Sequence, residues 1–139
     1  MFEGRVQYLT TGRFKKLLNL NESLLVDGCH SVESAKNLYN YLKTLKGPVY
    51  GIWGMQKNKL PRQFIKSFNK IFKKLITVRI PNEPNALNAD ELKNIGKKYM
   101  QTISANNIQN ALKQISSKES KTIVIFGSLF LVGEVLSKN

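Results

Sequence analysis

Hydrophobic positions along this chain switch repeatedly between two periods. Short runs rich in β-branched and aromatic residues occupy 5–9, 24–26, 49–53, 75–80 and 122–126, with a briefer one at 100–103. Runs of that length, bounded by Gly, Pro or polar residues, read as strands. Between them the apolar residues recur at spacings of three and four. Over 31–45, Val32, Ala35, Leu38, Tyr39, Leu42 and Leu45 build one apolar face, and Ser31 stands where it can cap the helix. Over 61–72, Pro61 falls in the first turn and Phe64, Ile65, Phe68, Ile71 and Phe72 share a face expected to be core. Helices are likewise expected over 88–99, 106–117 and 129–136, carried by Leu92, Ile95 and Tyr99, by Ile108, Ala111, Leu112 and Ile115, and by the apolar run that closes the chain.

Strand and helix therefore alternate, which predicts an α/β domain: a doubly wound, mostly parallel (mixed) sheet of about six strands with helices on both faces. The run 122–126 is unbroken and β-rich, as a parallel strand covered by helices on both sides must be. The first strand, close in sequence to 24–26, is expected to add antiparallel. A chain of 139 residues without internal repeat, low-complexity tract or linker reads as one domain, 1–139.

Composition changes that picture little. A hydrophobic content of 42% excludes disorder despite a net charge of +13. Such charge attracts phosphate backbones, and Lys66, Lys70, Lys73 and Lys74 cluster beside a predicted helix. Yet 18 of the 22 cations are lysines, whereas bidentate phosphate and base-edge recognition favours arginine. Abundant Lys, Asn and Ile together fit a codon bias that spreads lysines over a solvated surface, so nucleic acid is not the expected partner. Arg5, Arg13, Lys15 and Lys16 interrupt any secretory apolar core, and no apolar stretch is long enough to span a membrane. A cytoplasmic protein is expected, and a single cysteine is compatible with a reducing compartment.

The candidate chemistry sits where strands stop. Leu24-Leu25-Val26-Asp27-Gly28-Cys29-His30-Ser31 ends a strand at an acid, a glycine and the only histidine. Gly51-Ile52-Trp53-Gly54-Met55 and Ile125-Phe126-Gly127-Ser128 repeat the strand-to-glycine pattern. Loops beyond the carboxyl ends of such strands line the ligand crevice of an open α/β sheet. The plainer alternative makes Asp27-Gly28 a turn and His30 a loop residue. There is no Gly-x-x-x-x-Gly-Lys-Ser/Thr loop and no Gly-x-Gly-x-x-Gly after a strand. One histidine and one cysteine do not make a zinc site, and Cys29 beside His30 is a poor case for a thiol nucleophile.

Taken in order, Gly4-Arg5-Val6-Gln7, Asp27 to Val32, Gly54-Met55, Ile80 to Leu87 and Gly127 to Glu134 resemble the carboxy-terminal domain of folylpolyglutamate synthase/dihydrofolate synthase, in the Mur ligase superfamily. The family segments are Asp-Gly-Ala-His-Asn-Pro, a Gly-Met turn and Gly-Ser-Leu-Tyr-Leu-Val-Gly-Glu, and the last is matched most fully. The resemblance implies an ATP-dependent acid–amino-acid ligase that activates a carboxylate as an acyl phosphate and joins it to L-glutamate. Its substrates would be ATP, L-glutamate and folate or dihydropteroate. ATP and Mg would be held mainly by an amino-terminal phosphate-loop domain, expected outside this chain as the rest of a larger protein or as a separate chain.

The same resemblance implies roles for single residues: Arg5, Asp27 and Ser128 would contact the nucleotide, and His30 would lie near glutamate and phosphate as the catalytic histidine. Asp27 and His30 are then expected to face solvent here, whereas a packed His30 and a purely turn-forming Asp27 would mark the plainer alternative. Three departures stand out. Ser31-Val32 replaces the family's Asn-Pro, Lys59-Leu60 replaces its Lys-Asp pair, and Phe130 replaces its tyrosine. The alternative reading is a stand-alone nucleotide- or nucleic-acid-binding α/β module without ligase activity.

Overall fold

A computed structural model describes residues 5–139, and Gly4 of the first motif lies outside them. The elements run β1 (Gln7–Tyr8), a 3₁₀ turn at Lys15–Leu17, β2 (Glu22–Asp27), α1 (Val32–Leu42), β3 (Val49–Trp53), α2 (Pro61–Lys66), β4 (Lys74–Thr77), α3 (Ala89–Gly96), β5 (Thr102–Ser104), α4 (Ile108–Ile115), β6 (Lys121–Phe126) and α5 (Leu129–Lys138). The strands form one sheet in the order β1-β2-β6-β3-β4-β5. Only β1 pairs antiparallel; the other four pairings are parallel.

Period-two patterning splits the core between the faces of the sheet. Leu24, Val26, Ile52, Ile76, Ile123 and Ile125 pack with α4 and α5, through Ile108, Ala111, Leu112, Leu131, Val132 and Val135. Leu25, Val49, Trp53, Leu75, Val124 and Phe126 pack with α1, α2 and α3, through Ala35, Leu38, Leu42, Phe64, Ile65 and Leu92, and with Phe68 just beyond α2. On this second face Phe126 is the hub of an aromatic cluster, with the Phe64, Phe68 and Phe72 rings 6.0, 5.0 and 5.2 Å away. Gly51 makes room for it, since a Cβ there would press on Leu75, Phe126 and Phe72 at 3.0 to 3.1 Å.

Most elements are shorter than their patterns predict, β1 (Gln7–Tyr8 against 5–9) among them, and for α2 and β4 the structure shows why. The helix expected over 61–72 ends at Lys66, after which i→i−3 bonds such as Ser67 N–H to the Phe64 carbonyl tighten the chain into turns. Lys70 then adopts a left-handed conformation, φ 69°, which stops any helix and swings Phe72 back onto Phe126. Phe64, Phe68 and Phe72 are nonetheless core, as expected. The strand expected over 75–80 keeps regular pairing only to Thr77, because Pro81 follows and the chain turns away, although Val78 and Ile80 remain fully buried. Of the lysine cluster, Lys73 pairs with Glu119 at 3.3 Å, in the open.

At the opposite end, where β2 and β6 begin, Glu22 and Lys121 face each other in register and form an ion pair of 2.7 Å with no side-chain exposure. Burial by itself pushes the Glu22 carboxyl up. Hydrogen bonds from Asn19 N–H, Lys121 Nζ, Ser116 Oγ and Ser117 N–H more than reverse this and hold it at about 2, below its ordinary 4.5. The ammonium is satisfied as well, donating to Ser117 Oγ at 2.6 Å.

Removing one partner strands the other charge in the interior. Glu22→Gln is therefore expected to lower unfolding free energy by about 3 kcal/mol or more, measured by urea denaturation, with the Glu22→Leu/Lys121→Met pair milder than either single loss. Because the folded carboxyl lies below the unfolded one, its stabilising contribution is complete above about pH 5 and is lost as pH falls from 4.5 toward 2. An acid titration of melting temperature should show that loss in the wild type and not in the double variant.

Candidate functional site

Strand register brings the sequence motifs to one edge. Asp27 pairs with Phe126, and Phe126 with Trp53, so β2, β6 and β3 stop at the same level. The chain leaves β2 for α1 on one face of the sheet and leaves the neighbouring β6 for α5 on the other. A crevice must open between such divergent connections, and it is where open α/β sheets bind ligands. Here it is a cleft of about 370 Å³ whose lining includes Arg5, Asp27, Gly28, His30, Ser34, Asn37 and Leu129. Arg5, Asp27 and His30, singled out from the sequence, thus share one wall.

Asp27 departs from its expected exposure. It is buried, with 7% of its surface accessible, because β1 covers the β2 edge and the carboxylate folds back on its own loop. Its Oδ1 accepts the Cys29 N–H at 2.8 Å, an Asx turn that sets the direction of 28–31. Burial raises the Asp27 carboxyl, opposed by hydrogen bonds from Cys29 and Val6 and by the charge of Arg5. The turn-forming role and a place in the cleft wall coexist in this one side chain. Cys29 is buried beneath it, and burial together with the Asp27 charge pushes the thiol well up, so it stays protonated and is no nucleophile at neutral pH.

His30 is half-buried rather than fully open. Its Nδ1 lies 3.1 Å from the Gly28 carbonyl oxygen, and its N–H donates to Ser34 Oγ at 3.1 Å. Ser31 caps α1 as its position predicts: its Oγ accepts the Ser34 N–H, while Ser34 Oγ accepts the Ser31 N–H at 3.0 Å. The capping box therefore replaces the helix start that Asn-Pro supplies in the family.

Ser128 is not part of the cleft wall. It is 2% exposed, and its Oγ caps α5 by accepting the Phe130 and Leu131 N–H groups at 3.0 and 3.4 Å, which turns the side chain inward, away from the cleft. Gly127 has a structural reason. At φ 112° it sits under the Gly54 carbonyl and the Trp53 ring, where any side chain would overlap both. The next residue, Leu129, was not foreseen as a site residue, and it lines the cleft while 52% exposed. Phe130 beside it is 57% exposed. Ser34 and Asn37 were also missed; their spacing of three on α1 places both on the turn facing the cleft, a signal available only once the register of α1 is known.

Among the described residues there is no group of three or more His, Cys, Asp or Glu that could hold a metal ion. Among the described residues, too, no helix is long and apolar enough to cross a membrane.

Comparison with known proteins gives the geometry its context. The chain superposes on folylpolyglutamate synthase of Thermotoga maritima at TM-score 0.80 and 24% identity, over 99% of this chain and 30% of that one. E. coli FolC in complex with DHPP and ADP aligns at TM-score 0.78 and 18% identity, over 99% and 31%. A bifunctional folylpolyglutamate synthase/dihydrofolate synthase with Mn, AMPPNP and L-glutamate bound aligns at 0.79 and 18%, over the same shares. This chain thus spans about three tenths of the length of those solved structures, and at such identities they speak for the fold. Among curated proteins none matches closely enough in sequence to count as a relative. The profile of the dihydrofolate synthetase C-terminal domain, however, matches residues 8–138, nearly the whole chain, and the protein belongs to that family.

Proposed function

We propose that this chain, residues 1–139, is the closing domain of an ATP-dependent ligase that adds L-glutamate to folate or dihydropteroate. The observation that carries the reading is the meeting of Arg5, Asp27 and His30 in one cleft at the sheet's switch point, in a chain of the dihydrofolate synthetase C-terminal family. A phosphate-loop domain, in the same protein or a separate chain, would hold ATP and Mg and present them to this edge.

The residues suit the chemistry. An exposed guanidinium at Arg5 offers a planar fork to phosphate oxygens. Asp27 commits Oδ1 to its turn, which leaves acceptor capacity on the carboxylate for a hydroxyl such as a ribose 2′-OH. When bound, ATP converts the substrate carboxylate to an acyl phosphate, and the glutamate amine then displaces phosphate to form the amide. Charge builds on phosphoryl and tetrahedral oxygens in both steps, and fixed donors and cations stabilise it. Leu129 supplies the apolar side of the cleft. Ser128 serves the site at one remove, by capping α5 and thereby fixing the position of Leu129.

The chain alone should neither hydrolyse ATP nor ligate glutamate, because it contains no phosphate loop. Sustained turnover by the purified 139-residue chain, followed as phosphate release, would refute the closing-domain reading. In the ligase completed with its phosphate-loop domain, Arg5→Ala should cost roughly tenfold to a thousandfold in ligation rate. Asp27 separates two roles: Asp27→Ala should lose about 1–2 kcal/mol of stability through the orphaned Cys29 N–H, while Asp27→Asn keeps an acceptor and should fold normally yet ligate poorly. Melting curves and ligation rates on the same proteins decide the matter. An Asp27→Asn protein with wild-type rate would confine Asp27 to the turn.

A further inference from the structure

A carbonyl oxygen cannot donate a hydrogen bond. Because His30 Nδ1 lies 3.1 Å from the Gly28 carbonyl, Nδ1 carries the proton, and in the neutral ring the lone pair is on Nε2. Free neutral imidazole side chains in water favour the opposite tautomer, so the turn selects the minor form. Among the described residues no group bonds to Nε2, and the ring lines the cleft.

What holds the ring against Gly28 is the backbone of 28–31, and Ser34 grips that backbone more tightly than a helix cap requires. In a capping box the side chain at the third helical position accepts one N–H, that of the capping residue. Ser34 Oγ accepts two in succession, from His30 at 3.1 Å and from Ser31 at 3.0 Å. It also lies 2.8 Å from Ser31 Oγ and 3.1 Å from the Ser31 carbonyl, which occupy its own proton. The bond to Ser31 belongs to the helix; the bond to His30 belongs to the residue that bears the imidazole.

We propose that Ser34 is a positioning residue that, together with the Gly28 carbonyl, locks His30 in the Nδ1–H tautomer so that Nε2 is presented to the cleft as a proton acceptor. This rests on the ligase reading only for the identity of the proton. There, Nε2 takes a proton from the ammonium group of the incoming amino acid: one N–H bond of the ammonium breaks, an Nε2–H bond forms, and a neutral amine and an imidazolium result. The neutral amine then attacks the acyl phosphate. A ring protonated at Nε2 could still donate to an anion, but it could not perform this step.

The tautomer can be read without any ligation. His30 is the chain's only histidine, so a long-range ¹H–¹⁵N correlation spectrum of the full chain contains one imidazole system. At a pH where the ring is neutral, the expected pattern is a pyrrole-type shift at Nδ1 and a pyridine-type shift at Nε2. Ser34→Ala should move the pattern toward the Nε2–H form, and Ser34→Thr, which keeps the hydroxyl, should restore it; the far-UV spectrum reports that all three fold alike. A wild-type spectrum of the Nε2–H type overturns the lock, and an unchanged spectrum in a folded Ser34→Ala chain overturns the role of Ser34. In the completed ligase Ser34→Ala should lower kcat several-fold with little change in the KM for ATP. An inactive completed ligase with the expected spectrum would instead count against the ligase reading and leave the lock standing.

Discussion

Nothing in this domain is possible unless β6 is kept from water on every side. All six of its residues are buried, both of its edges are hydrogen-bonded in parallel to β2 and β3, and its two faces alternate between the two halves of the core. A strand with no wet surface needs helices above and below it, so the connections from neighbouring strands must leave in opposite directions. The crevice between α1 and α5 is a consequence of that requirement. The cleft was positioned by the burial of a strand that contributes no polar side chain to it.

The buried ion pair and the candidate cleft are placed at opposite ends of the same two strands. At the amino ends, Glu22 and Lys121 form a dry, fully hydrogen-bonded ion pair that ties β2 to β6 in one register. A slip of one residue would separate those charges and reverse every side chain of β2, so the pair specifies register as well as contributing to stability. At the carboxyl ends the same register sets Asp27 level with the glycine turns that follow β6 and β3, where the cleft opens. Gly127 closes that edge by letting its backbone pass beneath Gly54.

The loop 27–34 shows how little material the proposed site needs. Asp27 directs the chain, Ser34 holds the backbone, and the Gly28 carbonyl orients the ring of His30. Each of these bonds is local, within four residues in sequence. They are rigid together because Cys29 beneath them is packed in the core and α1 is capped above them. The departures from the family pattern fit this economy, since serine capping does locally what a proline does by fixing φ.

By itself, the sequence determined the order and kind of the elements, since the periods of two and of three to four are local properties of the chain. The cap at Ser31, the aromatic face of Phe64, Phe68 and Phe72, and the strand-ending motifs were all legible there. So was the family, because its motifs occur in order along the chain. Tertiary structure alone decided what depends on residues distant in sequence. Burial of Asp27 required β1 to cover its strand; the early end of α2 required Phe72 to reach Phe126; and the Glu22–Lys121 pair joined positions 99 apart. The places of Ser128 and Leu129 were decided in the same way: the cap turned the serine inward, and the leucine lines the cleft. Sequence period tells which face a residue occupies, whereas the partner on that face is set only when strands are brought into register.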